Sequence, residues 1–335
     1  MDRRQLLPCL VGAALTGCGK KGRQPHRLRV GLIPRWRLAP VYLAHELGFF
    51  QEAGLKVDFH RFAGHLEMLL LLAGGALEVG FNWATGGFIN AVLKGARLRI
   101  VASRDIAVPG CDTGGVIFGY RKSFPQGLHD LRLLKGKRVA VHDHTDLGAF
   151  FLDQILASAG MSSDDVKLLS MGSPEAATAL MGGKIDAVPT ASLDKDLDFV
   201  SANVVRSITL SELLPNYQYT FVLFGPALLD GAPEIGVSFL EAYLRGVRAY
   251  RAGQTPRALE ELALAGHNDP AAARAVCRKS ISRDGTVDRA SVQRFVDWAA
   301  KKGFIPRAVD ASQLIDTRFV EEALRRLNRR GGSTR

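Results

Sequence analysis

One plan of alternating strands and helices occurs twice in this chain, and it constrains the fold more than any other feature of the sequence. Residues 29–83 have the apolar periodicity of strand, helix, strand, helix and strand, and residues 138–190 repeat that order. The turn glycines repeat as well, since Gly160 corresponds to Gly54. Strands that alternate with helices usually form parallel sheets. The repeat therefore predicts an α/β protein with two similar lobes and a cleft between them.

The periodicity assigns most of the chain to regular elements. Strands are predicted at residues 29–33, 55–60, 78–81, 99–103, 116–120, 138–141 and 221–224. Helices are predicted at residues 38–53, 65–74, 88–94, 234–253, 256–265, 270–281, 288–302 and 317–327. The chain is predicted to pass between the lobes near residues 117–121 and 217–222, which makes a hinge. We expect the C-terminal helices to pack on the first lobe.

Composition indicates a globular protein without a nucleic-acid partner. Apolar residues make up 47% and charged residues 23% of the 335 positions, which suits two domains that each bury a core. The formal net charge is +11, but the basic residues are scattered. Their densest cluster, residues 325–330, lies at the end of the last predicted helix, where cations complement the helix dipole. This cluster is typical of a solvated face, so we expect no nucleic acid.

The start of the chain has the features of an export signal. Two arginines precede a short apolar run, residues 6–15, which is too brief to span a bilayer. The run ends in Leu15-Thr16-Gly17-Cys18, which resembles the lipobox of bacterial lipoproteins. We expect a signal peptide at residues 1–17, a lipid on Cys18 and a tether at residues 18–27. An ordinary cleaved signal is the alternative, and the arginines leave the Sec and twin-arginine routes open.

The same features predict where the mature protein resides. We expect an exported protein of the cell envelope, held through Cys18 on the periplasmic side or on the outer face of the cytoplasmic membrane. An oxidising compartment would permit a bridge between Cys111 and Cys277, but two distant cysteines are more often buried and unpaired. No Cys/His spacing typical of zinc occurs, so we expect no metal and no cofactor.

Loops at the carboxyl ends of the predicted parallel strands form the expected ligand site, because ligands bind where those ends open. The loops concerned are residues 34–38, 64–65, 82–87, 108–115, 142–147 and 173–174. Several of them begin helices, and helix N-termini offer N–H groups that have no intrahelical partner. The cleft therefore suits an anionic or carbonyl-rich group.

Arg35, Trp36 and Arg37 in the first loop are candidate ligand contacts. A guanidinium can form bidentate hydrogen bonds to a sulfonate, nitrate or carboxylate, and an indole face supports a flat or apolar group. The alternative is that both arginines face solvent while Trp36 packs on the lobe.

Asn82, Trp83 and Thr85 offer an amide, an indole and a hydroxyl at the start of the next helix. Thr85 is also suited to cap that helix, and a capping residue can face a ligand at the same time.

His142, His144 and Thr145 are the candidates from the second repeat. Two histidines two positions apart face one side of an extended segment, but zinc needs a third ligand that the sequence does not indicate. Polar lining of the cleft, with Thr145 capping the next helix, is the favoured interpretation. Asp112 and Tyr219 are added because they lie near the predicted hinge.

Several short motifs in combination carry a family resemblance. They are Ala39-Pro40-Val41-Tyr42-Leu43-Ala44, Glu46-Leu47-Gly48-Phe49-Phe50, Glu52-Ala53-Gly54-Leu55-Lys56-Val57, Leu134-Lys135-Gly136-Lys137-Arg138-Val139-Ala140-Val141 and Gly183-Lys184-Ile185-Asp186-Ala187. Over about residues 28–327 the chain resembles the SsuA-like solute-binding proteins of ABC importers. The family includes binders of nitrate, taurine, alkanesulfonates and a pyrimidine precursor of thiamine.

The resemblance implies a periplasmic-binding-protein type II-like fold that closes on a small solute. Lobe 1 would comprise residues 28–119 and 219–335, and lobe 2 residues 120–218. It further implies a monomer that delivers a small, anionic solute, such as a sulfonate, taurine or nitrate, to an ABC permease and ATPase complex.

The ligand is left open because His142-Asp143-His144-Thr145 stands where the family usually has Pro-x-Gly-Ser. A thiamine pyrimidine precursor or another aromatic metabolite is the alternative ligand, and a sensor for a membrane signalling protein is an alternative function. A pyrimidine-synthase type of enzyme is disfavoured because its Cys-rich motif is missing from the sequence, so we expect no enzyme.

Overall fold

The computed structural model describes residues 24–33, 36–62, 64–111, 115–190, 203–265 and 277–332. The predicted signal peptide, Cys18, Arg35 and Asp112 lie outside these ranges, as do most of the predicted tether and most of the helix predicted at residues 270–281. Within the described ranges, each helix is either too short or too polar to cross a bilayer.

The first sheet has five strands in the order β2–β1–β3–β10–β4. β1 runs parallel to β2 and β3, whereas β10 runs antiparallel to β3 and β4. These strands are β1 His26–Leu32, β2 Leu55–Arg61, β3 Val79–Trp83, β4 Arg99–Ile106 and β10 Gln218–Phe224. The apolar runs of the inner strands fit a sheet that is covered by helices on both faces.

The second sheet repeats this arrangement in the order β7–β6–β8–β5–β9. β6 runs parallel to β7 and β8, and β5 runs antiparallel to β8 and β9. These strands are β5 Val116–Tyr120, β6 Arg138–Val141, β7 Lys167–Ser170, β8 Ala187–Thr190 and β9 Val204–Thr209. The predicted α/β repeat is confirmed. Below, lobe 1 means the first sheet with the helices packed on it, and lobe 2 means the second sheet with its helices.

The helices follow the strands as the repeat predicts. Those of the first stretch are α1 Ala39–Glu46, α2 Phe49–Glu52, α3 His65–Ala73 and α4 Gly86–Leu93. Those of lobe 2 are α5 Leu147–Ser158, α6 Ser173–Met181 and α7 Leu210–Leu213. The prediction of one helix over residues 38–53 is wrong, because Gly48 takes a left-handed conformation with φ 75° and separates α1 from α2.

The C-terminal helices pack on lobe 1. They are α8 Pro233–Arg251, α9 Arg257–Ala265, α10 Arg289–Lys301 and α11 Arg318–Gly332. Phe239 of α8 stacks on Phe50 with ring centroids 5.1 Å apart, and Phe319 of α11 meets Phe224 edge-on at 5.1 Å. The described end of the helix predicted at residues 270–281 is only a 3₁₀ turn, Arg278–Ser280.

The two segments that join the lobes are hydrogen-bonded to each other. The amide of Ala107 donates to the carbonyl of Tyr217 over 2.8 Å, and the amide of Asn216 donates to the carbonyl of Ala107 over 2.7 Å. These contacts precede β5 and β10 in the chain. The first connection therefore comes earlier than residues 117–121, because β5 already pairs within the second sheet. The second lies at residues 216–217, at the start of the predicted 217–222, because β10 pairs within the first sheet. The predicted lobe boundaries stay predictions.

A disulfide joins Cys111 to Cys277, which are 166 residues apart, with 5.5 Å between their Cα atoms. The sequence leaves this pairing open, and the fold decides it by bringing the loop after β4 against the segment before α10.

An aromatic cluster packs the two lobes together. Phe150 of α5 is fully buried, with ring centroids 5.4 Å from Tyr217, 5.6 Å from Phe295 and 5.5 Å from Trp298. Because Phe295 and Trp298 belong to α10, this cluster connects lobe 2 with the C-terminal helices of lobe 1.

Candidate ligand-binding site between the lobes

A cavity of about 120 Å³ lies between the lobes, at the carboxyl ends of β3 and β6. Its lining residues are His65, Leu66, Leu69, Asn82, Trp83, Thr85 and Gly87 from lobe 1, and His142, Asp143, Thr145 and Asp146 from lobe 2. The amide of Gly86 donates to the carbonyl of Thr145 over 3.3 Å, so the lobes touch beside the cavity. The cavity thus lies at the place where parallel strand ends are expected to hold a ligand.

The lobe 1 wall presents hydrogen-bond donors. Asn82 is 2% exposed, and its Oδ1 accepts from the amide of Trp83 over 2.9 Å. Trp83 Nε1 is buried and has no hydrogen-bond partner among the described residues. The indole ring of Trp83 lies against the imidazole of His65, with 3.7 Å between the ring centroids. Thr85 caps α4 by accepting from the amide of Phe88 over 3.0 Å.

The lobe 2 wall is acidic. Asp146, 6% exposed, caps α5 by accepting from the amides of Gly148 over 2.8 Å and Ala149 over 3.2 Å. Thr145 was expected to cap this helix; that expectation is wrong, because the helix starts one residue later. The Thr145 hydroxyl instead donates to Asp143 over 2.7 Å. Burial raises the pKa of Asp146 to about 7, although its backbone hydrogen bonds act in the opposite direction.

A smaller cavity of about 30 Å³ lies deeper in lobe 1 and shares His65, Asn82 and Trp83 with the first. Arg37, Arg104 and Asp105 line it, and Asp105 is fully buried. Nη2 of Arg104 lies 2.7 Å from Oδ2 of Asp105, and Nη1 of Arg37 lies 3.8 Å from the same oxygen. This arrangement places two guanidinium groups behind the lobe 1 wall.

Tyr219 and Thr220 hold these guanidinium groups from β10. Arg37 donates to the hydroxyl of Tyr219, and Arg104 Nε donates to Oγ1 of Thr220 over 3.0 Å. Two charged groups that the sequence prediction missed, Arg104 and Asp105, therefore belong to this region. The available signal was a charged pair at the carboxyl end of β4.

The structure brings together Asn82, Trp83, Thr85, His142 and Thr145 around the larger cavity, and it puts Arg37 at the smaller one. Trp36 is buried in the apolar core of lobe 1, where α1 and α8 pack. His144 is exposed beside the larger cavity rather than in its lining.

Two curated relatives cover different shares of the chain. The nitrate import ATP-binding protein NrtC of Synechococcus elongatus is 28% identical over 231 residues, which are 66% of this chain and 35% of that protein. The chain thus spans about a third of that relative. A protein named as an ABC transporter periplasmic binding protein, from Brachyspira hyodysenteriae, is 25% identical over 276 residues, which are 77% of this chain and 75% of that protein.

A solved structure has the same fold. The alkanesulfonate-binding protein SsuA of Xanthomonas axonopodis pv. citri, bound to MOPS, superposes with a TM-score of 0.69 at 18% identity, over 88% of this chain and 99% of that one. The family model described as NMT1/THI5 like matches residues 36–255. Because that match takes in well over half of the chain and the two-sheet fold agrees with it, this chain belongs to the NMT1/THI5-like family.

Proposed function

We propose that this protein is the substrate-binding component of an ABC importer and captures a small anionic solute in the cleft. The observation that carries the proposal is the cavity at the strand ends, which is lined by both lobes. A ligand held there contacts both lobes at once, and such contacts stabilise the closed form over the open one. This is the behaviour that a receptor needs when it delivers a solute to a permease.

The anionic character of the solute is supported by lobe 1. The amide nitrogen of Asn82 and the indole nitrogen of Trp83 are donors at the cavity, and the first turn of α4 adds the amide of Gly87, which has no intrahelical partner. Behind them, the guanidinium groups of Arg37 and Arg104 line the smaller cavity. Sulfonate, nitrate and carboxylate oxygens accept from donors of these kinds.

An aromatic solute is the second candidate. The indole of Trp83 and the imidazole of His65 form an aromatic surface at the cavity. Such a surface suits a flat heterocycle, including a thiamine pyrimidine precursor.

A ligand panel tests the receptor function. We expect binding that is micromolar or tighter, which corresponds to at least about 8 kcal/mol. Thermal shift followed by calorimetry should cover alkanesulfonates, taurine, nitrate, aromatic acids and pyrimidine precursors. If no compound of this panel and no compound of a broad metabolite collection raises the melting temperature, the proposal is contradicted.

The proposal includes a lipid anchor on Cys18, a monomeric receptor and a permease with its ATPase as partners. The lipobox-like sequence Leu15-Thr16-Gly17-Cys18 supports the anchor. The Cys18→Ala variant should leave the membrane fraction and lose acyl labelling. An unchanged membrane fraction in that variant would overturn the anchor while leaving the ligand test unaffected.

A further inference from the structure

The two walls of the larger cavity differ in their hydrogen-bonding character. On lobe 1, Nε1 of Trp83 is buried without a hydrogen-bond partner among the described residues, Oδ1 of Asn82 is taken by the amide of Trp83, and both side chains line the cavity. Asn82 is almost completely buried, so its amide can be satisfied only by something inside the cavity. The lobe 1 wall therefore suits a ligand that accepts hydrogen bonds.

The lobe 2 wall requires the opposite. Oδ1 of Asp146 takes both backbone amides of the first turn of α5, and within the described residues Oδ2 has no hydrogen-bond partner. Asp146 is more than nine-tenths buried and lines the cavity. Among the described residues, no lysine or arginine side chain lines this cavity. Asp143 adds a second carboxylate on the same loop. In its ionised form this wall is satisfied by an N–H donor or a cation, and it repels an anion.

The N-terminus of α5 is also occupied already. In an open helix start, the free amides and the positive end of the dipole attract an anion. Here the carboxylate of Asp146 takes that position. A bare anion such as nitrate would meet donors on lobe 1 and a carboxylate on lobe 2.

From these two walls we propose that the cleft selects a solute with an anionic group facing lobe 1 and an amino group facing Asp146 on lobe 2. Asp146 is then the specificity-determining residue for the amino group. The inference rests on the proposed function, since it names the chemical class of solute for that same cleft.

Matched pairs of solutes test the amino group alone. Taurine and ethanesulfonate share one anionic group and differ in the amine, and β-alanine and propionate form a second such pair. We expect the amino member of at least one pair to bind the full-length protein at least tenfold more tightly, measured by calorimetry. Equal affinities within both pairs, or tighter binding of the members without an amine, would overturn the inference.

Asp146→Asn removes the charge and keeps an oxygen that can cap α5. We expect this variant to reduce the preference for the amino member to less than threefold. Asp288→Asn is the matched control, because Asp288 caps α10 by the same pair of backbone bonds, at 3.1 Å and 3.0 Å, outside the cavity lining. It should keep the wild-type preference. An Asp146→Asn preference equal to that of the control would contradict the assignment.

A second measurement needs no variant. Bound ammonium favours the ionised carboxylate, so at about pH 6.5 the amino member should release more protons on binding than its partner, measured by calorimetry in buffers of different ionisation enthalpy. His65 on lobe 1 and His142 and Asp143 on lobe 2 also face the cavity, but they meet the same anionic group in both members. Equal proton release would count against the role of Asp146.

The two proposals fail differently. If ethanesulfonate and propionate each bind as well as their amino partners, the inference fails and the receptor function stands. If no solute binds the folded protein, the receptor function itself fails.

Discussion

The indole N–H of Trp298 donates a 2.7 Å hydrogen bond to the carboxylate of Asp153, and this bond joins helix α10 of lobe 1 to helix α5 of lobe 2. The ammonium of Lys302 lies 2.7 Å from the same carboxylate oxygen and also donates to Ser163 over 2.9 Å. Together with the aromatic cluster around Phe150, these contacts join the two lobes on one side of the cleft.

The first prediction is that Asp153→Ala loosens the lobes. It leaves the indole and the ammonium without their shared acceptor, so we expect the free energy of unfolding to fall by about 2 kcal/mol and the radius of gyration in solution scattering to rise. Asp297→Ala is the control, since Asp297 lies beside Trp298 on α10 but accepts from Gln293 of the same helix over 2.8 Å. Unchanged scattering in Asp153→Ala would contradict the role of the pair.

The second prediction concerns a clamp that both lobes contain. Arg29 binds Glu78 and the carbonyl of Gly75, and Arg138 binds Asp186 in the corresponding position of lobe 2. Burial alone would raise the pKa of Asp186, but hydrogen bonds from Arg138 and Ser123 outweigh it and hold the pKa well below the ordinary value. The stabilisation is therefore present at neutral pH and is lost as the pH falls below about 4.

In urea denaturation, Asp186→Ala should lower the free energy of unfolding by about 2 kcal/mol at pH 7 and by a smaller amount at pH 3, where the loss of the stabilisation has begun. The figure is below that of a fully buried pair because Arg138 is partly exposed and water screens it. The exposed pair of Arg132 and Asp130 in the same lobe provides the control, and Asp130→Ala should change stability little. A loss that is the same at both pH values would refute the clamp.

The third prediction follows from the close approach of α8 to α1. A Cβ added to Gly246 would lie 2.1 Å from the carbonyl oxygen of Pro40 and 2.9 Å from Cβ of Ala44. Gly246→Ala must push the helices apart, so we expect a loss of about 2 to 3 kcal/mol in thermal or urea unfolding. Gly231→Ala, where the added Cβ meets nothing within 4 Å, is the control. Equal stabilities of the two variants would contradict this packing.

The fourth prediction concerns the disulfide. Closing a loop of 166 residues between Cys111 and Cys277 restricts the unfolded chain, and the chain-entropy relation sets a ceiling of about 5 kcal/mol for the stabilisation. Cys111→Ala combined with Cys277→Ala should lower the free energy of unfolding by about 2 to 5 kcal/mol. A reducing agent should lower the wild-type value similarly and leave the double variant unchanged. Insensitivity of the wild type to reduction would argue against the bridge.

The fifth prediction concerns Asp146 without ligand. Its pKa in the folded protein is raised to about 7 from 3.8, so the folded state holds a proton that the unfolded state has lost. Stability is therefore fully present below about pH 4 and falls as the pH rises toward 7. Relative to wild type, Asp146→Asn should gain at least about 1 kcal/mol between pH 4 and pH 8. Asp288→Asn should show no such trend, and parallel curves for wild type and Asp146→Asn would disprove the raised pKa.

Local sequence patterns predicted the sheets well because strand periodicity and glycine turns are short-range signals. β5 and β6 begin and end at the predicted residues. β4 extends past the predicted end at Ser103 to Ile106 because β10 pairs along it, and that pairing comes from residues more than one hundred positions away. Arg104 and Asp105 were missed for this reason.

The other differences have the same origin. Cys111 and Cys277 meet only through the fold, so their spacing could not reveal the bridge. Thr145 and Asp146 are both good capping residues, and the first helical residue, Leu147, decides between them. The location of Trp36 in the lobe 1 core depends on α1 and α8 packing together, which no local pattern contains.

The paired connections at Ala107, Asn216 and Tyr217 make the second lobe an insertion whose two ends meet. Because the chain enters and leaves lobe 2 at adjacent points, lobe 2 can be exchanged for a homologous lobe without moving lobe 1. The aromatic cluster around Phe150 is the surface that an exchanged lobe must match. Chimeric proteins with a different second lobe could therefore be built by grafting at these two connections while keeping the residues of α5 that face α10.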